Sequence, residues 1–148
     1  MSTRFTYKQR KLSDLIAKEG LSSYAGWARK VFTVTLTAGQ SVVLGSLLVR
    51  AKGTDGAAKW KLVSAQADLA ETNEYAVAIS DYLGEQKDIT GAGDHKVTTI
   101  YVGPVVIKDA TLEEAVKTAF AAASAADMAS IKRLLAVQGI VAEVTIKG

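Results

Sequence analysis

The chain has 148 residues, 49% of them hydrophobic and 22% charged, which is long enough for one domain with its own core and too apolar for global disorder. It contains no cysteine and one histidine, so disulfide scaffolds, thiol nucleophiles and thiolate zinc sites are excluded together. The net charge of +3 is too small to force a nucleic-acid reading, but the first 30 residues hold seven basic and two acidic side chains, a balance of +5 that leaves −2 for the rest.

The opening MSTRFTYKQRK has no apolar stretch after its basic residues, so no export signal is expected; no run approaches the roughly 18 apolar residues that span a bilayer. If residues 1–11 are extended, Phe5, Tyr7 and Gln9 fall on one side, among Arg4, Lys8, Arg10 and Lys11. Leu12, Leu15 and Ile16 recur at helical spacing before Gly20, predicting one or two helical turns over residues 13–18. Residues 21–30 read as a connector with Tyr24 and Trp27 as docking anchors.

From Val31 the period changes to two. Phe32, Val34 and Leu36 alternate with Thr33 and Thr35, as in a half-buried strand. A turn at residues 38–40, an extended segment at 42–50, a loop at 52–56 with an Asp-Gly pair, and a short strand at 60–63 follow. Further strands are predicted at 75–80, 96–102 and 105–108, with glycine-marked breaks between them. Many short strands predict a mainly β, sandwich- or barrel-like domain over residues 31–148, preceded by a basic arm and connector at 1–30.

A C-terminal helical segment is expected over residues 111–138, making the class α+β. Thr111-Leu112-Glu113-Glu114 matches a capping box, and Ser124-Ala125-Ala126-Asp127 offers a second, so the alanine-rich stretch is either one helix with a break or two helices in succession, the break being favoured. In the later piece Met128, Ile131, Leu134 and Leu135 form an apolar stripe, Lys132 and Arg133 lie toward the favourable end, and Gly139 suits a left-handed cap. Ala142, Val144 and Ile146 then alternate with Val141, Glu143 and Thr145 in a closing strand.

Few residues point to chemistry. His95 stands beside Asp94 after Gly91-Ala92-Gly93, but a neighbouring pair without a third partner or a nucleophile reads as an exposed turn, and no catalytic residue is assigned. The carboxylates are scattered, and the Glu113-Glu114 pair is explained by helix capping, so neither metal nor cofactor is expected. The glycines at 91–93 lack the order of a phosphate loop. Trp27 and Trp60 read as packing residues, and the alanines from 119 to 126 as a close-approach surface within the fold or between subunits. The candidate binding segment is Thr3, Arg4, Phe5, Thr6, Tyr7, Lys8 and Arg10: it is suited to adding a strand to a partner's sheet edge, or else it is a solubilising tail. Its basic cluster is short for nucleic-acid binding and has no reading element.

The order of segments 42–50, 60–63 and 75–80, the run Thr99-Ile100-Tyr101-Val102-Gly103-Pro104-Val105, and the alanine-rich helix followed by Ile131-Lys132-Arg133-Leu134-Leu135-Ala136-Val137-Gln138-Gly139-Ile140 resemble the lambda-type head decoration proteins of tailed bacteriophages. The resemblance covers roughly the last three quarters of the chain, judged by pattern. It implies a capsid-stabilising virion protein rather than an enzyme: a homotrimer on the outside of the mature head, made in the host cytoplasm. Its arm would engage the major capsid protein, with no nucleic-acid or membrane partner. Another virion component, such as a head-fibre base or assembly subunit, is the alternative expectation; a small hydrolase or nucleic-acid-binding module ranks below it.

Overall fold

The computed structural model describes residues 15–19, 29–53, 58–81, 83, 85 and 87–144, with the backbone alone at 17–19. The fold is mainly β with a C-terminal helical segment, as expected, and its largest sheet curls into a half-barrel.

That sheet has the order β2-β8-β6-β4-β5, formed by β2 (Arg29–Leu36), β4 (Leu47–Ala51), β5 (Lys61–Leu62), β6 (Asn73–Asp81) and β8 (Gly93–Ile100). Neighbouring strands run antiparallel. The sheet bends far enough for Trp60, just before β5, to meet β2 in a parallel bridge to Val34. Its N–H donates to Thr33 O and its carbonyl accepts from Thr35 N, both at 2.9 Å. The two outer strands are thereby joined, removing part of the open edge that such a sheet would present.

Alternation decides what lies inside the curl. Val34, Leu36, Leu48, Trp60, Leu62, Ala76, Ala78 and Val97 form the inner cluster. The opposite face contributes Val49, Tyr75, Val77, Ile79 and Ile100 to a second cluster with the helices. The extended segment expected at 42–50 is two strands: β3 (Ser41–Val42) pairs with β7 (Ile89–Thr90), and a turn through Gly45 at φ +93° separates it from β4.

Helix α1 (Asp109–Ala119) follows directly from β9 (Val105–Lys108), and α2 (Ala125–Val137) follows a short break. The expected box at Thr111 is not the helix start: α1 begins at Asp109, with Lys108 as a cap that makes no side-chain bond. The strand runs straight into the helix, leaving Thr111 inside its first turn. The second box is present, with Asp127 N–H donating to Ser124 Oγ at 3.1 Å and Ser124 N–H to Asp127 Oδ2 at 3.0 Å. Met128, Ile131, Leu134 and Leu135 are buried, and Gly139 takes φ +83°, both as predicted.

The chain then returns as β10 (Ile140–Glu143), which lies parallel to β9 in a small sheet whose other outer strand is β1 (Ile16–Glu19), in the order β1-β9-β10. Val144, expected within this strand, lies beyond its end and is 79% exposed. The first strand, β1 (Ile16–Glu19), replaces the helical turns expected at 13–18 and pairs antiparallel with β9. Folded structure therefore extends N-terminal to residue 31.

Candidate interaction surface

The small sheet ties the N-terminal part of the chain to the body. Leu15 is fully buried, and its carbonyl accepts from Lys108 N at 2.7 Å. Burying one such side chain contributes roughly 1.5–3 kcal/mol, which a four-residue strand needs. Beyond it lie the segment Thr3, Arg4, Phe5, Thr6, Tyr7, Lys8 and Arg10 and the anchors Tyr24 and Trp27, all outside the described residues. Among the described residues, β1 and β10 are the outer strands of their sheet. Val106 stands opposite Val141, and Lys108 opposite Glu143; Val141 is 43% exposed. An open strand edge beside exposed apolar side chains can take another chain through main-chain bonds.

The inner face of the half-barrel carries an arrangement that sequence reading missed. Arg50 and Glu74 are directly opposite on β4 and β6 and form an ion pair whose side chains are only 10% and 15% exposed. The guanidinium lies 4.5 Å from the Trp60 ring centroid and 5.1 Å from that of Phe32, and it donates to Ala58 O at 3.1 Å. The Tyr101 hydroxyl donates to the other Glu74 oxygen at 2.8 Å, and its ring packs edge-on against Phe32 and Trp60. Burial raises the Tyr101 pKa, with the Glu74 carboxylate acting in the same direction and Arg50 against it, so the hydroxyl keeps its proton and remains a donor. Trp60 packs as expected, in a cage filled by the chain's own Arg50. Charged residues at inward positions of alternating strands were the available signal.

Asp94 and His95, adjacent on β8, project to opposite faces of the sheet. Asp94 accepts from Thr35 Oγ1 at 2.7 Å and pairs with Lys59 at 2.6 Å. His95 Nε2 lies 2.8 Å from Gly91 O, so the residue belongs to the strand and braces the preceding turn. Glu113, read as part of a cap, instead joins Asp109 on Lys132, at 3.1 and 3.2 Å. That contact holds α1 against α2. Burial would lower the Lys132 pKa, but the two carboxylates outweigh it and the net shift is upward.

Three aspartates organise loops. Burial would raise the Asp68 carboxyl, but N–H groups of Ser64 and Ala65 together with Lys61 bring it below its ordinary value. At Asp81 burial is likewise outweighed, by the N–H groups of Glu85 and Leu83 and by Lys87. Lys59 and Thr35 lower Asp94. Each depressed carboxyl contributes stability that is present above its unfolded pKa and is lost as pH falls through the folded one. The thermal midpoint is therefore expected to hold down to about pH 5 and to fall progressively below it. A midpoint unchanged down to about pH 3 would contradict this linkage.

Comparison with protein families, with curated proteins and with solved structures returned no match.

Proposed function

We propose that this chain is a phage-head decoration protein: a homotrimer that binds the outside of the major capsid protein lattice and stabilises it by surface contact. The observation that carries the reading is the junction of a strongly basic N-terminal segment with β1, an outer strand of the small sheet anchored by Leu15. A segment entering there is suited to strand addition on a partner, main-chain bonds setting register and Phe5 and Tyr7 supplying apolar area. The mainly β body with its C-terminal helices is the fold class that the strand and helix patterns predict. Three such arms on one rigid trimer dissociate far more slowly than one, because after a first release the second and third contacts still hold the body in place.

Deletion of residues 1–11 is the test. The truncated protein is expected to keep the solution mass and thermal midpoint of the full chain while losing co-sedimentation with purified expanded capsids. Retained capsid binding would reject the arm mechanism. A full chain that is monomeric and shows no capsid affinity would reject the decoration reading itself.

A further inference from the structure

Among the described residues, the outer strands of the sheets are guarded to different degrees. β2 is joined to Trp60 by its bridge, β5 is two residues long and opens on the exposed Lys61, and β3 and β7 are two-residue strands paired with each other. β1 has a register shift between Ile16 and Lys18 and includes a lysine. Shortness, lysine and irregular register are the devices that keep an edge from taking another strand. β10, with the sequence Ile-Val-Ala-Glu, has no lysine, no proline and no shift in its pairing with β9, and no strand among the described residues lies on its far side.

The inner side of β10 determines what its outer side offers. Ile140 stands opposite Val105, and Val105 N–H donates to Gly139 O at 3.2 Å. The main-chain groups of odd-numbered residues therefore face β9, and those of Ile140 and Ala142 point outward. Ile140 is buried in the cluster that holds Ile131, Leu134 and Leu135 of α2, so Val141 and Glu143 turn their side chains to the face away from the helices, beside Val106 and Lys108 of β9.

We propose that β10 pairs antiparallel with β10 of a second copy of this chain, across a two-fold axis at Val141. In this register Ile140 meets Ala142 of the second copy and Ala142 meets its Ile140, so both outward residues bond in both directions. Axes at Ile140 or Ala142 leave one of them opposite a residue outside the strand. Val141 faces its counterpart in the close, non-hydrogen-bonded position, and with Val106 it forms an apolar strip that covers a side chain 43% exposed in the single chain. The charges permit the pairing: each Glu143 falls opposite Gly139 of the other copy, and the two glutamates stand about 13 Å apart along the strands, beyond the screening length of about 8 Å. The axis is perpendicular to the sheet, which leaves both α2 helices on one face. α2 packs chiefly on β10, and its exposed positions include Ala125, Ala126, Ala129 and Ala136, while Arg133 is drawn to Glu71 at 2.9 Å. Such small side chains let two helices approach to about 8 Å. This surface is separate from the arm contact and from the threefold association of the decoration reading and depends on neither; where trimers form, it joins them in pairs.

The chain has no cysteine, so single substitutions read the geometry directly. Cα atoms of a close antiparallel pair lie about 4.5 Å apart, within disulfide range. Under mild oxidation Val141→Cys is expected to form a covalent pair of chains at least about tenfold faster than Glu143→Cys, whose Cα atoms would be about 13 Å apart. Sedimentation of the parent at rising concentration is expected to reveal a species of twice the mass of the one that Val141→Lys forms, because the lysines would face each other at the axis. Val31→Lys, on exposed β2, is expected to behave as the parent. The substituted positions are exposed, so thermal midpoints close to the parent's are expected throughout. Cross-linking that is equal at residues 141 and 143, or faster at 143, would overturn the proposal, as would one and the same mass for the parent and Val141→Lys.

Discussion

Glu74→Ala is expected to cost about 3 kcal/mol of folding stability, because it leaves the Arg50 guanidinium inside the half-barrel without its carboxylate. The value sits at the lower end of the range for broken buried pairs, since the two side chains keep 10% and 15% exposure and some water relaxes the penalty. Tyr101 loses its acceptor in the same variant, an unsatisfied hydroxyl that adds to the loss. The double variant Arg50→Met/Glu74→Leu removes both charges and fills the space with apolar groups. It is expected to recover to within about 2 kcal/mol of the parent, short of full recovery because the guanidinium's contacts with Trp60 and Phe32 are also lost. Urea denaturation with an unchanged m-value would measure all three changes as a double-mutant cycle. A cost below about 1 kcal/mol for Glu74→Ala would show that the pair behaves as a solvated surface contact.

The elements legible from sequence are those whose local pattern and tertiary environment agree. Phe32, Val34 and Leu36 alternate and face the inner cluster or its rim, and the stripe from Met128 to Leu135 is buried on the helix that its spacing predicts. Where the two conflict, distant contacts decide. Leu12, Leu15 and Ile16 have helical spacing, but a segment of one or two turns is marginal alone; pairing of Ile16 with Ile107 and Lys18 with Val106 gives it a ladder that no local pattern encodes. At residues 42–50 the apolar residues are nearly continuous, and the break depends on Gly45 turning where α1 approaches. The segment assigned to binding stood out in sequence by charge and aromatic placement alone, which set its chemistry but not its partner. The Arg50, Glu74 and Tyr101 arrangement could not be assembled from sequence because its three residues lie on three separate stretches: strand pairing sets Arg50 opposite Glu74, and Tyr101 reaches the same carboxylate from beyond the end of β8.

Gly103→Ala is expected to be among the most destabilising single-atom additions that the fold can receive. A Cβ at this position would lie 1.8 Å from Gly139 O and 2.3 Å from its carbonyl carbon, so the obstacle is main chain and no side-chain rotation relieves it. The crossing cannot easily move apart, because Gly103 N–H donates to Gln138 O at 2.8 Å and Val105 N–H to Gly139 O at 3.2 Å. The Gln138 side chain fastens the same turn to the barrel, donating to Tyr75 O and Tyr101 O at 2.6 and 2.7 Å and accepting from Tyr75 N at 2.8 Å. Opening the crossing strains these bonds and the parallel pairing of β10 with β9 that starts at Ile140 and Val105. A cost of at least about 3 kcal/mol is expected, at or beyond the upper end for overpacking, because backbone must shift. Gly39→Ala provides the control: its φ is +85° with nothing within 4 Å of the added carbon, so only conformational strain of about 1 kcal/mol applies. Thermal and urea unfolding of the two variants should separate by at least about 2 kcal/mol, and equal losses would mean that the contact between the β8–β9 loop and the helix-terminal turn is loose enough to absorb a methyl group.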